Sequence, residues 1–320
     1  MAIQVLKYTF YCVWKTEAKL PEYLGSTLRG SLGWALKKCS CALHRQECAS
    51  CALRPQCAYA WLFETDIHAD PGGTAVNARQ HPFIIEPHGE VRQVAATGDA
   101  FEFSIVLIGQ GNAHLPMIAH SVKLMGEEGI GSGRKFGLGR FSLEKIFWDG
   151  HVIFDRADGV LHALPPLSPL DVEEIPREVT EKINLRCATP LRVKFENKLN
   201  RELPFHILIR TALRRVASLE YSYGGKEPEL DFPGIVKRAE SVETTRSQLR
   251  WRDLLRYSNR QGKKVSLGGM VGVVSYCGDL TEFMPILRYC EKVHIGKQTV
   301  FGLGKIVVGS DSPDYPRVGR

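Results

Sequence analysis

Long apolar runs are missing from this chain of 320 residues, and none approaches the roughly 20 residues that cross a bilayer. That excludes a membrane-spanning helix. The opening Met1-Ala-Ile-Gln-Val-Leu-Lys7 also lacks a signal-peptide pattern, so a cytoplasmic protein with no membrane partner is expected. Histidine is absent from the whole stretch Pro21 to Lys38. Cysteine is sparse over most of the sequence: of nine, only Cys12, Cys187, Cys277 and Cys290 lie outside the segment 39–57. There is no acidic surplus either. The net charge of +7 favours an acidic partner such as nucleic acid, without choosing between RNA, DNA and a charged surface.

What is present is ordinary for a globular protein, with 44% hydrophobic and 24% charged residues, and long enough for two domains. Two near-copies of one glycine-rich stretch organise it. They are Gly131-Ser-Gly133-Arg134-Lys135-Phe-Gly-Leu-Gly-Arg140 and Gly296-Lys297-Gln-Thr-Val-Phe-Gly302-Leu-Gly304-Lys305. Each follows a helix-like run and precedes a strand-like run, which makes them an internal repeat. Glycine permits positive φ and close approach to a ligand, and successive N–H groups can face an anion. Arg134, Lys135, Arg140, Lys297 and Lys305 would supply charge beside such a cradle. The plain alternative is a helix-to-strand turn packed on its own sheet.

Around the loops the pattern reads β-α-β-β-α-β twice. In the first half the elements are Ile3 to Trp14, a helix opening near Pro21, strands at His81 to Glu86 and Phe101 to Ile108, a helical stripe from Leu115 to Met125, and a strand at Phe141 to Trp148. In the second they are Ile183 to Phe195, Phe205 to Leu219, Leu249 to Trp251, Val265 to Tyr276, Phe283 to Val293, and Ile306 to Val308. The expected fold class is α+β, two tandem ferredoxin-like domains. The boundaries read as 1–154, a linker at 155–180 carrying Pro165, Pro166 and Pro169, and 181–320. The polar stretch Asp66 to Arg79, with Pro71-Gly72-Gly73, reads as a mobile loop.

An insertion at about 39–64 holds Cys41, Cys48, Cys51 and Cys57. Four thiolates this close suit a tetrahedral structural zinc that would fold a loop too small for its own core. Cys39 can substitute for Cys41. An iron–sulfur cluster is the chemical competitor, because the same ligands serve it. Residues 236–264 carry nine Lys or Arg against three acids, among them Arg250, Arg252 and Arg256, with Trp251 and Tyr257 interleaved. Arginine with aromatics suits phosphate contact and base stacking; a solvated basic hairpin is the alternative. Arg210, Arg214 and Arg215 on the preceding helix would extend that surface.

Several stretches together resemble the CRISPR-associated endoribonucleases that process precursor CRISPR RNA, in the RAMP superfamily. They are Leu24-Gly-Ser-Thr-Leu-Arg-Gly-Ser-Leu-Gly33, the cysteine insertion with Ala58 to Glu64, Trp251 to Gly262, Leu267 to Gly272, and His294 through Gly304. The resemblance implies binding of CRISPR repeat RNA and one cleavage without a catalytic metal. In that reaction the ribose 2′-hydroxyl attacks the adjacent phosphate and leaves a 2′,3′-cyclic phosphate on the mature guide RNA. Other effector subunits are implied as partners. Such chemistry needs a base, an acid and cations for the phosphorane. The family's commonest layout puts a catalytic histidine on or just after the first helix, where this chain has none. His44, Tyr23, Arg29 and His294 are the candidates instead, and a non-catalytic RNA-binding subunit is the other reading.

Overall fold

The computed structural model describes residues 3–43, 46–65, 80–89, 93–164, 169–195, 198–199, 201–225, 228–258 and 262–309. The segments 66–79 and His44 therefore lie outside the described residues. The chain divides into two units. Unit 1 comprises Met1–Leu170, Ser218–Lys226 and Val300–Gly302; unit 2 comprises Asp171–Ala217, Glu227–Thr299 and Leu303–Arg320.

Alternation drives the first strand of unit 1, β1 (Val5–Trp14). Tyr8, Phe10, Cys12 and Trp14 are buried on one face, while Lys7, Thr9, Tyr11 and Val13 take the other. The remaining elements of this half are β2 (Ala18–Lys19), α1 (Gly25–Ser40), α2 (Ala58–Phe63), β3 (Phe83–Pro87), β4 (Val94–Ala95), β5 (Ala100–Ile108), α3 (Leu115–Glu128), β6 (Phe141–Trp148) and β7 (His151–Asp155). The main sheet runs β3-β5-β1-β6-β7, antiparallel throughout, with Tyr8 opposite Ile105 and Trp148. Helix α1 turns Leu28, Leu32, Ala35 and Leu36 inward. Phe10 stacks on Phe103 at 5.2 Å and Trp14 on Phe101 at 4.3 Å. Fully burying a side chain of this size stabilises by about 2–3 kcal/mol.

Unit 2 repeats the order. Its elements are β8 (Lys182–Leu191), the short pair β9 (Lys194–Phe195) and β10 (Lys198–Leu199), α4 (Phe205–Leu219), α5 (Phe232–Arg238), β11 (Glu243–Ser247), β12 (Arg250–Arg252), β13 (Leu255–Ser258), β14 (Lys263–Ser266), β15 (Gly269–Cys277), α6 (Met284–Val293) and β16 (Ile306–Gly309). Helix α4 is cut by the unit boundary after Ala217. The sheet runs β11-β15-β8-β16 and β12 also pairs with β15. Numbering the four principal strands of each half in chain order, both sheets read 2-3-1-4, the ferredoxin-like arrangement expected from the element order.

Three expectations change at the level of elements. Helix α1 starts at Gly25, not at Pro21, because Leu20 is still tied into extended structure by its N–H to the Gln93 carbonyl, 2.8 Å. The run Val265 to Tyr276 is two strands, broken at Gly268, where a further strand is fed off as the hairpin β13–β14. The strand expected at Leu249 begins earlier, at Glu243, and its first part, β11, is fully exposed.

Candidate nucleic-acid interface

The two glycine loops are held by the same clasp. In the first, Ile130 N–H donates to Gly139 O (2.9 Å), Ser132 N–H to Lys19 O (2.9 Å) and Gly139 N–H to Glu17 O (2.8 Å). In the second, Ile295 N–H donates to Gly304 O (3.0 Å), Lys297 N–H to Arg192 O (3.0 Å) and Gly304 N–H to Pro190 O (3.1 Å). Gly139 and Gly304 both have φ of +73°, and a Cβ at either would collide with the carbonyl oxygen of Ile130 or Ile295. Glycine is required there by the close crossing of two backbone segments. These amides are spent on the protein's own carbonyls, so each loop is gripped at its two ends by main-chain bonds. The cations are what the first loop offers outward: Arg134, Lys135 and Arg140 are exposed, while Gly131 and Gly133 are half-buried. In the second, Lys297 is exposed, Gly296 and Lys305 are half-buried, and Gly302 and Gly304 are buried.

Within unit 1, the start of α1 meets Val300–Gly302. Tyr23 donates its hydroxyl to Phe301 O at 2.6 Å, and a Cβ at Gly25 would strike the same oxygen. The Arg29 guanidinium lies 4.9 Å from the Phe63 ring centre and 5.8 Å from that of Phe301. Two aromatic faces thus hold a half-buried cation in place. Tyr23 and Arg29 are brought together around Phe301. His294 is not part of this cluster. It is fully buried at the end of α6, at φ +54°, with Nδ1 hydrogen-bonded to Leu303 O at 3.1 Å. A side chain sealed in this way closes the second loop and has no path to a phosphodiester, which corrects its candidacy as a catalyst.

In unit 2, Arg246, Arg250, Arg252 and Lys263 are exposed along β11, β12 and β14. Trp251 is half-buried, its indole N–H donating to the Asp253 carboxylate at 2.9 Å and its ring 5.6 Å from the Arg201 guanidinium. Desolvation lowers the pKa of Arg256 from its ordinary value. Arg210 and Arg214 are exposed one turn apart on α4, and Arg210 lies 5.4 Å from the Phe195 ring. Two cations do not join this surface. Arg215 is buried, donating through Nε and Nη2 to the Val293 carbonyl at 3.1 and 3.0 Å, and Arg238 pairs with Glu282 at 2.8 Å.

A polar cluster that sequence reasoning missed sits on the sheet of unit 1. His88 Nε2 and Ser104 Oγ are 2.8 Å apart, Thr9 Oγ1 meets the same Ser104 oxygen at 2.8 Å, and His88 Nδ1 is 3.5 Å from Glu102. Lys7 Nζ pairs with the buried Glu86 at 2.6 Å. Burial, and secondarily the charge of Lys7, lowers the His88 pKa below its ordinary 6.5 against the opposing pull of Glu102 and Glu86. The unfolded chain therefore takes up a proton that the folded chain refuses. Stability should fall as pH drops below about 6.5, flattening again below the folded value. Urea midpoints at successive pH values, with His88→Gln flattening the profile, check this; a variant as acid-sensitive as the parent would assign the slope elsewhere.

Cys41, Cys48, Cys51 and Cys57 lie on a segment built from two short 3₁₀ turns, Cys48–Ser50 and Arg54–Gln56, with no buried residue in either turn. Burial raises the Cys48 thiol pKa; Lys37 opposes this, and Glu64, Cys57 and Cys41 reinforce it. The donors suit a soft ion, but among the described residues no three or more His, Cys, Asp or Glu side chains are grouped to hold a metal.

The fold and the doubled clasp define a tandem ferredoxin-like protein, and the comparisons agree on that fold. Residues 185–306 match the family of the CRISPR-associated endoribonuclease Cas6, and residues 3–166 match the AF_1859 N-terminal domain. The second match spans more than half of the chain, which thus belongs to the family sharing that domain. The resemblance to the CRISPR RNA-processing family is borne out. An uncharacterized protein of Archaeoglobus fulgidus is 27% identical over 293 residues, 89% of this chain and 91% of that one. A Cas6 product complex, of the Thermus thermophilus protein, superposes with a TM-score of 0.56 at 13% identity, covering 95% of this chain and all of the other. Another Cas6 product complex gives 0.51 at 17% identity over 96% of this chain and 100% of that one. At these identities the superpositions show a shared fold.

Proposed function

We propose that the chain is an endoribonuclease that binds CRISPR repeat RNA and cuts it once, by attack of a ribose 2′-hydroxyl on its own phosphate without a catalytic metal. The carrying observation is the match of residues 185–306 to the Cas6 family, a span that contains the whole second glycine loop and the exposed arginines of β12. The described residues supply cations, not a histidine, near the start of α1: Arg29 held between two rings would face the developing phosphorane charge, with Tyr23 setting the position of Phe301. The 2′-hydroxyl gives its proton to a base as its oxygen bonds to phosphorus, the 5′-oxygen leaves and takes a proton from an acid, and a 2′,3′-cyclic phosphate remains. Cleavage of repeat RNA should persist in EDTA and vanish when the ribose at the scissile position is 2′-deoxy. Cutting of the deoxy substrate would overturn the mechanism.

A second reading is a subunit that holds guide RNA without cutting it. It is favoured by the burial of His294 together with the absence of histidine from α1. Repeat RNA bound tightly and recovered intact after long incubation would select it.

On cysteine spacing alone, we also propose a structural zinc held by Cys41, Cys48, Cys51 and Cys57, which would act as scaffold. About one zinc per chain by elemental analysis, with a lower Tm after chelation, is the expected result. Iron with visible absorption would assign a cluster instead.

A further inference from the structure

The two clasped loops carry the same letters, Phe-Gly-Leu-Gly, yet treat the phenylalanine in opposite ways. Phe301 is 8% exposed and Phe136 is 87% exposed. Single exposed apolar residues are common on protein surfaces and need no explanation by themselves. Phe136 differs in how it is presented. It closes a 3₁₀ turn (Arg134–Phe136) bracketed by Gly133 and Gly137, both left-handed at φ +86° and +78°. The turn is anchored on both sides. Thr16 Oγ1 donates to Gly137 O at 3.1 Å and accepts from Arg140 N–H at 3.0 Å, and the clasp to Lys19 and Glu17 lies on either flank. The ring is therefore held out in water by a fixed backbone.

Its neighbours are cationic and aromatic. The Arg134 guanidinium lies 5.2 Å from the Trp34 ring, and Lys38 Nζ lies 4.9 Å from the same ring while pairing with Glu128 at 3.0 Å. Trp34 is 36% exposed, and Lys135 and Arg140 are exposed on the loop itself. An aromatic face beside exposed cations is the arrangement that holds single-stranded nucleic acid, with the base on the ring and the phosphates on the cations. An apolar protein partner would be met by the three exposed cations of the loop, Arg134, Lys135 and Arg140, which argues for the polyanion.

We propose that Phe136 is a stacking post for an unpaired base of bound RNA, with Arg134, Lys135 and Lys38 beside it for the phosphates. This rests on the RNA-binding reading above and adds a position within unit 1.

The test compares the full-length protein with Phe136→Ala, Phe136→Leu and Phe136→Trp. The probes are a fluorescein-labelled repeat RNA with unpaired flanks and a single-stranded oligoadenylate. Phe136→Ala should weaken binding about tenfold and leave the slope of log Kd against log salt unchanged, as loss of a stacked base predicts. Phe136→Leu, equally apolar, should not rescue. Phe136→Trp should bind at least as well as the parent, with its fluorescence quenched by RNA. Unchanged melting temperatures would show that the fold is kept. If the parent binds repeat RNA and Phe136→Leu or Phe136→Ala binds it equally well, the stacking post is wrong while the RNA reading stands. If the parent binds neither probe, both fall.

Discussion

Gly139→Ala and Gly304→Ala should each cost about 3–4 kcal/mol of stability, more than a positive φ alone accounts for. Each has φ of +73°, and at each a new methyl would run into a backbone carbonyl, that of Ile130 or of Ile295. Backbone cannot yield as a side-chain tip can, so either the clasp opens or the helix end moves. Gly137 supplies the control: its φ is +78°, but nothing lies within 4 Å of where its Cβ would be. Gly137→Ala should therefore lose only about 1 kcal/mol, the conformational share. By thermal melting the pair should separate from the control by several degrees. Equal losses at 137 and 139 would mean that the crossing relaxes and that the clasp is looser than its geometry implies.

Arg29→Ala should lower the rate of repeat-RNA cleavage at saturating protein by about 100-fold, the usual cost of removing one positioned donor to a developing oxyanion. Affinity should change far less, with the salt slope of binding smaller by about 1. The guanidinium lies over the Phe63 ring at 4.9 Å and over the Phe301 ring at 5.8 Å, contacts that favour a flat cation. Arg29→Lys should consequently fail to restore the rate, since an ammonium neither stacks as well nor offers a planar fork. A rate unchanged in Arg29→Ala would leave the residue as packing between two rings.

Much of the architecture was legible because the apolar positions repeat with periods of 2 and 3.6. Val5–Trp14 alternates, and the buried stripe of α1 falls at Leu28, Leu32 and Leu36. Strand β11 was not legible, since Glu-Thr-Thr-Arg-Ser has no buried position and exists only through its ladder with β15. The burial of Arg215 could have been read: it stands three residues after Ala212 and four before Leu219, on the apolar face of α4, whereas Arg210 and Arg214 fall opposite. The two faces of the glycine motif could not. Phe136 and Phe301 occupy the same place in the same local pattern, and only the segments packed around them decide which is hidden. The ring contacts of Arg29 were equally out of reach, because Phe63 and Phe301 come from distant parts of the chain.

The paired clasps separate how a loop is gripped from what it displays. Its grip is made by main-chain atoms at the ends, so the middle residues can be rewritten without disturbing the anchorage. One ancestral loop, copied, could thus keep its hold while one descendant turned its ring inward as filling and the other turned it out as a fingertip. A transplant of the central residues between the two loops would accordingly leave attachment intact, and each ring would take the exposure that its new surroundings impose.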